Sequence, residues 1–201
     1  MLTINKLLER IIEYNDLPKF QVERAISPIL SFYIGRILSK NNEELELVSP
    51  EYPLKNDNNQ STNIDYLIIN KTKNCILLVE LKTNFRASTK SVLEHQSKYE
   101  EIIEKIYKNT AAFLVEDIEK IYSGTNEKEK YHYLKEQAKR VNKDIRHGEI
   151  VYLVPKTIKS KIIHDRPELK YTSLVAFDEI ITSGHDDEVY DELVKALLML
   201  K

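Results

Sequence analysis

An α/β domain with a mixed β-sheet and helices on both of its faces is the fold this sequence predicts, and three features predict it. Two apolar runs, residues 64–69 and 75–81, lie on either side of the polar stretch Lys71-Thr72-Lys73-Asn74, which is the spacing of a β-hairpin. Stretches with helical apolar periodicity stand before and after that hairpin. Two further strand-like runs, residues 149–154 and 171–177, follow late in the chain. Strands that alternate with helices in this way build a sheet covered on both sides.

Taken in order, residues 2–14 carry Leu7, Leu8, Ile11 and Ile12 at helical spacing, and Asp16-Leu17-Pro18 breaks them off. A second helical stretch is expected from near Lys19. Ser27-Pro28 then reads as an N-cap followed by proline in the first helical position, opening a helix that ends at Lys40-Asn41-Asn42. Residues 44–54 read as an edge strand, because Pro50 and Pro53 interrupt them. A polar loop spans residues 56–63, and the hairpin follows. Residues 87–107, 110–122 and 128–146 read as helices, the last with Tyr131, Leu134, Ala138, Val141 and Ile145 on one side. Residues 156–170 read as a basic, polar excursion, and 186–200 as a final helix.

The 201 residues fit one domain, and 42% hydrophobic with 31% charged residues suits a soluble one. No apolar run approaches the ~20 residues that cross a bilayer. Glu9, Arg10 and Glu13 interrupt the N-terminal apolar pattern, so that segment reads as a helix rather than a secretion signal. Cys75 is the single cysteine, which rules out an intrachain disulfide and suits a cytoplasmic protein. Four glycines and no Gly-rich loop exclude a P-loop nucleotide hydrolase, and the five histidines lack zinc-ligand spacing. The net charge of −2 argues against a protein that coats nucleic acid. Charge is uneven, however: residues 128–170 have a balance of +6 and residues 171–201 one of −5.

The chemistry lies in the hairpin. With residues 71–74 as the turn, Asn70 faces Cys75, and counting back along both strands brings Asp65 opposite Glu80 and Asn63 opposite Lys82. Residues two apart on a strand share a face, so Glu80 and Lys82 point the same way. Opposed residues of an antiparallel pair also share a face, with Cβ atoms roughly 5 Å apart. Two carboxylates and an ammonium therefore converge at one end of an otherwise apolar hairpin. Like charges placed opposite each other destabilise a sheet. A divalent cation between Asp65 and Glu80 would remove that repulsion, and Mg²⁺ suits one or two carboxylates completed by water and phosphate. Lys82 would then stabilise charge on a scissile phosphate or help activate a water. The plainer alternative is a structural ion cluster at a strand end.

Asp65 followed by Val79-Glu80-Leu81-Lys82 resembles the active-site pattern of the PD-(D/E)xK nuclease superfamily. Ile64 stands where that pattern has proline. Glu168-Leu169-Lys170 matches the same three-residue string but has no hairpin to bring an aspartate alongside. The resemblance implies a restriction endonuclease-like core over residues 19–155. It would carry an N-terminal helical extension at about 1–18 and a helical addition at about 108–147. It also implies Mg²⁺-dependent phosphodiester hydrolysis, with Mn²⁺ as a substitute and DNA as the substrate. Asp65 and Glu80 would be the metal ligands and Lys82 the catalytic cation. A further acid on the preceding helix, Glu23, would contact the metal through water, the alternative being a solvated helix-surface glutamate paired with nearby lysines. Gln96 would join the site, with Tyr99 one turn later, spaced one residue short of the Gln-x-x-x-Tyr seen in several such families.

Lys135, Lys139 and Lys143 recur every four residues beside Arg140, a stripe suited either to a phosphate backbone or to a solvated helix face. The expected partner is nucleic acid and not a membrane, and a homodimer is compatible with the pattern. The alternative function is a catalytically inactive nuclease-fold protein that serves as a nucleic-acid- or protein-binding module.

Overall fold

Five strands form one sheet in the order β1 (Leu45–Lys55), β2 (Ser61–Asn70), β3 (Cys75–Leu81), β4 (His147–Val154) and β5 (Thr172–Ala176). This computed structural model describes residues 3–14, 21–55, 61–84, 86–180 and 187–200. β1, β2 and β3 pair antiparallel, whereas β3, β4 and β5 pair parallel, so the sheet is mixed and β3 is where it changes sense. All seven residues of β3 are buried, as expected of a central strand covered on both faces.

The helices are α1 (Ile4–Glu13), α2 (Val22–Leu38), α3 (Thr89–Val92), α4 (Gln96–Asn109), α5 (Ala112–Gly124), α6 (Lys128–Ala138), α7 (Lys156–Asp165) and α8 (Glu188–Met199). Strand alternation divides the core into two layers. Leu67, Ile69, Ile76, Leu78, Ile150 and Tyr152 pack under α4, α5 and α7, with Ala138 of α6. Tyr66, Ile68, Leu77, Val79, Val151 and Leu153 pack on the other face against α1, α2 and α8. Gly148 lets α4 lie close over β4, because a Cβ there would stand 2.6 Å from Ile103 Cδ1.

The hairpin has the register counted from the sequence: Asn70 pairs with Cys75, Leu67 with Leu78 and Tyr66 with Val79. Asn74 takes a left-handed conformation at the turn, which asparagine tolerates better than most residues. β1 lies at the sheet edge with Pro50 and Pro53 in it, so their missing N–H groups cost no central ladder bond.

Four expected elements differ. Ser27-Pro28 does not open a helix, because α2 already runs from Val22 and contains Pro28. Buried Val22 and Ile26 hold the turn before the proline against the sheet, and this packing outweighs the missing N–H. The helix expected over 87–107 is split into α3 and α4, with Ser88 capping the first by accepting from the Ser91 N–H. The helix expected over 128–146 stops at Ala138, and Val141 and Ile145 are buried in turns beyond it. Residues 156–165 of the supposed polar excursion form α7, which turns Ile158 and Ile162 into the core and carries its charges outward. The polar loop falls partly outside the described residues, and Ser61 already belongs to β2. The break expected at Asp16-Leu17-Pro18 and the helix start near Lys19 lie outside them too. No helix among the described residues is long and apolar enough to cross a membrane.

Candidate active site

The carboxyl end of β3 carries the expected cluster. Cross-strand pairing between β2 and β3 ends at Tyr66–Val79, one step before Asp65 and Glu80. The Asp65 carboxylate fills the gap, with its Oδ2 accepting from the Leu81 N–H at 2.6 Å. The ladder thus stops short of the expected Asp65–Glu80 and Asn63–Lys82 pairs, and Asn63 pairs only on its other side, with Pro53 of β1.

Alternation with Ile76 and Leu78 turns Glu80 toward α4, and there it is 4% exposed. Both its oxygens are engaged. Oε1 lies 2.8 Å from Lys82 Nζ, and Oε2 accepts from the Tyr99 hydroxyl at 2.7 Å. Lys82 is itself largely covered, with its side chain 18% exposed. Burial alone would lower the Lys82 pKa, but the charge and hydrogen bond of Glu80, together with the charges of Glu23 and Asp65, more than offset this and the value is raised. Asp65 shares its face with Leu67 and Ile69. Burial, and then the Glu80 charge, pushes its carboxyl up to about 8, against the pull of the Leu81 N–H and Lys82. Lys82 thus compensates the buried Glu80, and the half-buried Asp65 beside it remains costly to ionise.

Glu23 approaches from α2. Its Oε1 accepts from the Thr83 N–H at 2.9 Å, which ties α2 to the residue after Lys82. Its charge is felt by both Asp65 and Lys82. Gln96 is buried at the start of α4 but turns toward β5, where its Nε2 donates to Glu100 Oε1 at 2.8 Å and to Thr172 Oγ1 at 2.9 Å. Tyr99, and not Gln96, therefore touches the carboxylate from this helix.

The basic stripe is not brought to the site. β4 starts beside Cys75, so residues 139–146 precede it at the hairpin-turn end of the sheet. Glu80 lies five residues along β3 from Cys75, roughly 16 Å at a strand's rise per residue. Lys139 pairs with Glu136 at 2.6 Å, and Arg140 Nε donates to Glu46 at 2.6 Å. The Lys135 ammonium lies 4.8 Å from the centre of the Tyr122 ring, and Lys143 is exposed in the turn after α6. The parallel alignment of β4 with β3 is the reason, since it fixes the segment before β4 at the turn end; the end of α6 at Ala138 also breaks the four-residue recurrence.

Sequence reasoning gave Tyr99 too little weight and missed Tyr152. Tyr152 of β4 lies beside Glu80 in the parallel register and is fully buried. Burial, and next the Glu80 charge, raises its pKa. Its position in an apolar strand run had offered only a core reading.

For a cation, the available donors are carboxylate oxygens of Asp65 and Glu80. Among the described residues no three His, Cys, Asp or Glu side chains form a ligand group. Mg²⁺ needs only one or two carboxylates, so the pair suits it. Searches against protein-family models, curated proteins and solved structures find no match to this chain.

Proposed function

We propose that the protein is a Mg²⁺-dependent nuclease that hydrolyses phosphodiester bonds in DNA, on a restriction endonuclease-like core of the PD-(D/E)xK kind. The observation that carries this reading is the pairing of buried Glu80 and half-buried Asp65 with Lys82, at the carboxyl end of the strand where the sheet changes sense. Two adjacent carboxylates that share one compensating lysine are an expensive feature, and a hard divalent cation would offset their cost. When bound, such an ion supplies Lewis-acid stabilisation to a phosphoryl oxygen.

The chain's own groups have distinct tasks in this reading. Asp65 and Glu80 supply the oxygen ligands. Tyr99 fixes the rotamer of Glu80 by donating to Oε2. Glu23 holds the Thr83 main chain, and with it the base of the Lys82 side chain. Lys82 leaves Glu80 and places its ammonium on the scissile phosphate, where it stabilises the charge that grows during displacement.

The test is incubation of linear, circular, single-stranded and branched DNA, and of RNA, with Mg²⁺, Mn²⁺ or EDTA. Cleavage is expected with either metal, none with EDTA, and none by Asp65→Asn. The second reading is a nuclease-fold binding module, favoured by the engagement of both Glu80 oxygens by Lys82 and Tyr99. Binding without cleavage across the whole panel would establish it and sink the nuclease proposal.

A further inference from the structure

Tyr152 is the only tyrosine among the described residues whose hydroxyl is buried without a hydrogen-bond partner. Its ring is 0% exposed. A buried hydroxyl left unpaired is costly, and natural structures seldom keep one without a use. A phenylalanine would fill the same volume without that cost.

The position of this hydroxyl suggests its use. Tyr152 is the register partner of Glu80 on the neighbouring parallel strand, and both belong to the layer beneath α4. Glu80 has the largest electrostatic influence of any charged group on the Tyr152 phenol, and Tyr152 in turn acts on Tyr99. Two phenols thus flank one carboxylate. One already donates to Oε2, while Oε1 is held by Lys82. If a cation or a phosphate draws Lys82 away, Glu80 keeps a single donor in a nearly dry setting.

We propose that Tyr152 is a positioning residue for Glu80, whose phenol O–H donates to the carboxylate once Lys82 has left it. This rests on the nuclease reading above. The two tyrosines then hold Glu80 from α4 and from β4, so its remaining lone pairs stay aimed at the cation while Lys82 serves the phosphate. Partners that orient a metal ligand in this way typically change metal affinity roughly 10–100-fold when removed.

The experiment compares wild type, Tyr152→Phe and Tyr99→Phe. Melting is measured in EDTA, and the Mn²⁺ dissociation constant is measured by calorimetry without substrate. Tyr152→Phe removes only an unpaired hydroxyl, so its metal-free melting temperature should equal or exceed that of wild type. Its Mn²⁺ dissociation constant should rise roughly 10-fold or more. Tyr99→Phe, which loses an existing bond, should melt lower without metal. A Tyr152→Phe protein that binds Mn²⁺ as wild type does would overturn this proposal and leave the nuclease reading standing. A lowered metal-free melting temperature with unchanged Mn²⁺ affinity would also overturn it, by showing the hydroxyl to be structural. Wild type that fails to bind Mn²⁺ would overturn both.

Discussion

Replacing Asp65 by asparagine should stabilise the metal-free protein at alkaline pH. The Asp65 carboxyl is pushed up to about 8 from an ordinary 3.8, by burial and by Glu80. The folded protein therefore holds a proton there that the unfolded chain has released. Asp65 contributes its full stability below about pH 3.8, and that contribution is lost as pH rises through about 8. A shift of roughly four units at 1.36 kcal/mol each sets a ceiling of about 5–6 kcal/mol. Relaxation and water entry reduce such figures, and about 2 kcal/mol is the working expectation. Asparagine keeps an oxygen for the Leu81 N–H and carries no charge beside Glu80. For a chain of this size, 2 kcal/mol is a melting shift of about 4–8 °C. Thermal denaturation in EDTA at pH 4 and pH 8.5 should show Asp65→Asn more stable than wild type at pH 8.5, with the gap narrowing toward pH 4, near the ordinary carboxyl value of 3.8. A constant gap, or one that widens toward acid, would refute the charge argument.

Mg²⁺ or Mn²⁺ should raise the wild-type melting temperature, because a ligand of the folded state alone stabilises it; Asp65→Asn should abolish that rise, and an intact rise would place the cation elsewhere. Lys82→Ala should slow cleavage roughly 10²–10³-fold with metal binding retained, as for loss of one group that stabilises transition-state charge. Lys82→Arg should fail to restore the rate, since a planar guanidinium does not replace a compact ammonium; unimpaired cleavage by either variant removes Lys82 from the mechanism. Gly148→Ala should cost about 1 kcal/mol in urea denaturation, because its Cβ meets the Ile103 Cδ1 end, which must give way.

Sequence by itself determined what depends on neighbours along the chain. The two apolar runs and their polar turn specified the β2–β3 register as far as Tyr66–Val79, since a one-residue slip would turn every buried side chain outward. That register brought Asp65, Glu80 and Lys82 to one strand end. Prolines marked β1 as an edge, and late helical periodicity marked α8. Tertiary structure decided what depends on residues far apart in the chain. Pro28 is tolerated inside α2 because the sheet packs the turn before it, and α7 is helical because Ile158 and Ile162 find a core to enter. Truncation of α6 at Ala138 and the parallel alignment of β4 with β3 placed Lys139, Arg140 and Lys143 at the wrong end of the sheet for the carboxylates. Tyr99, Tyr152 and Glu23 acquire their relation to the site only when α4, β4 and α2 close around β3. Periodicity tells which side of an element is apolar; which polar atom lies within 3 Å of a buried carboxylate is decided by how the elements pack.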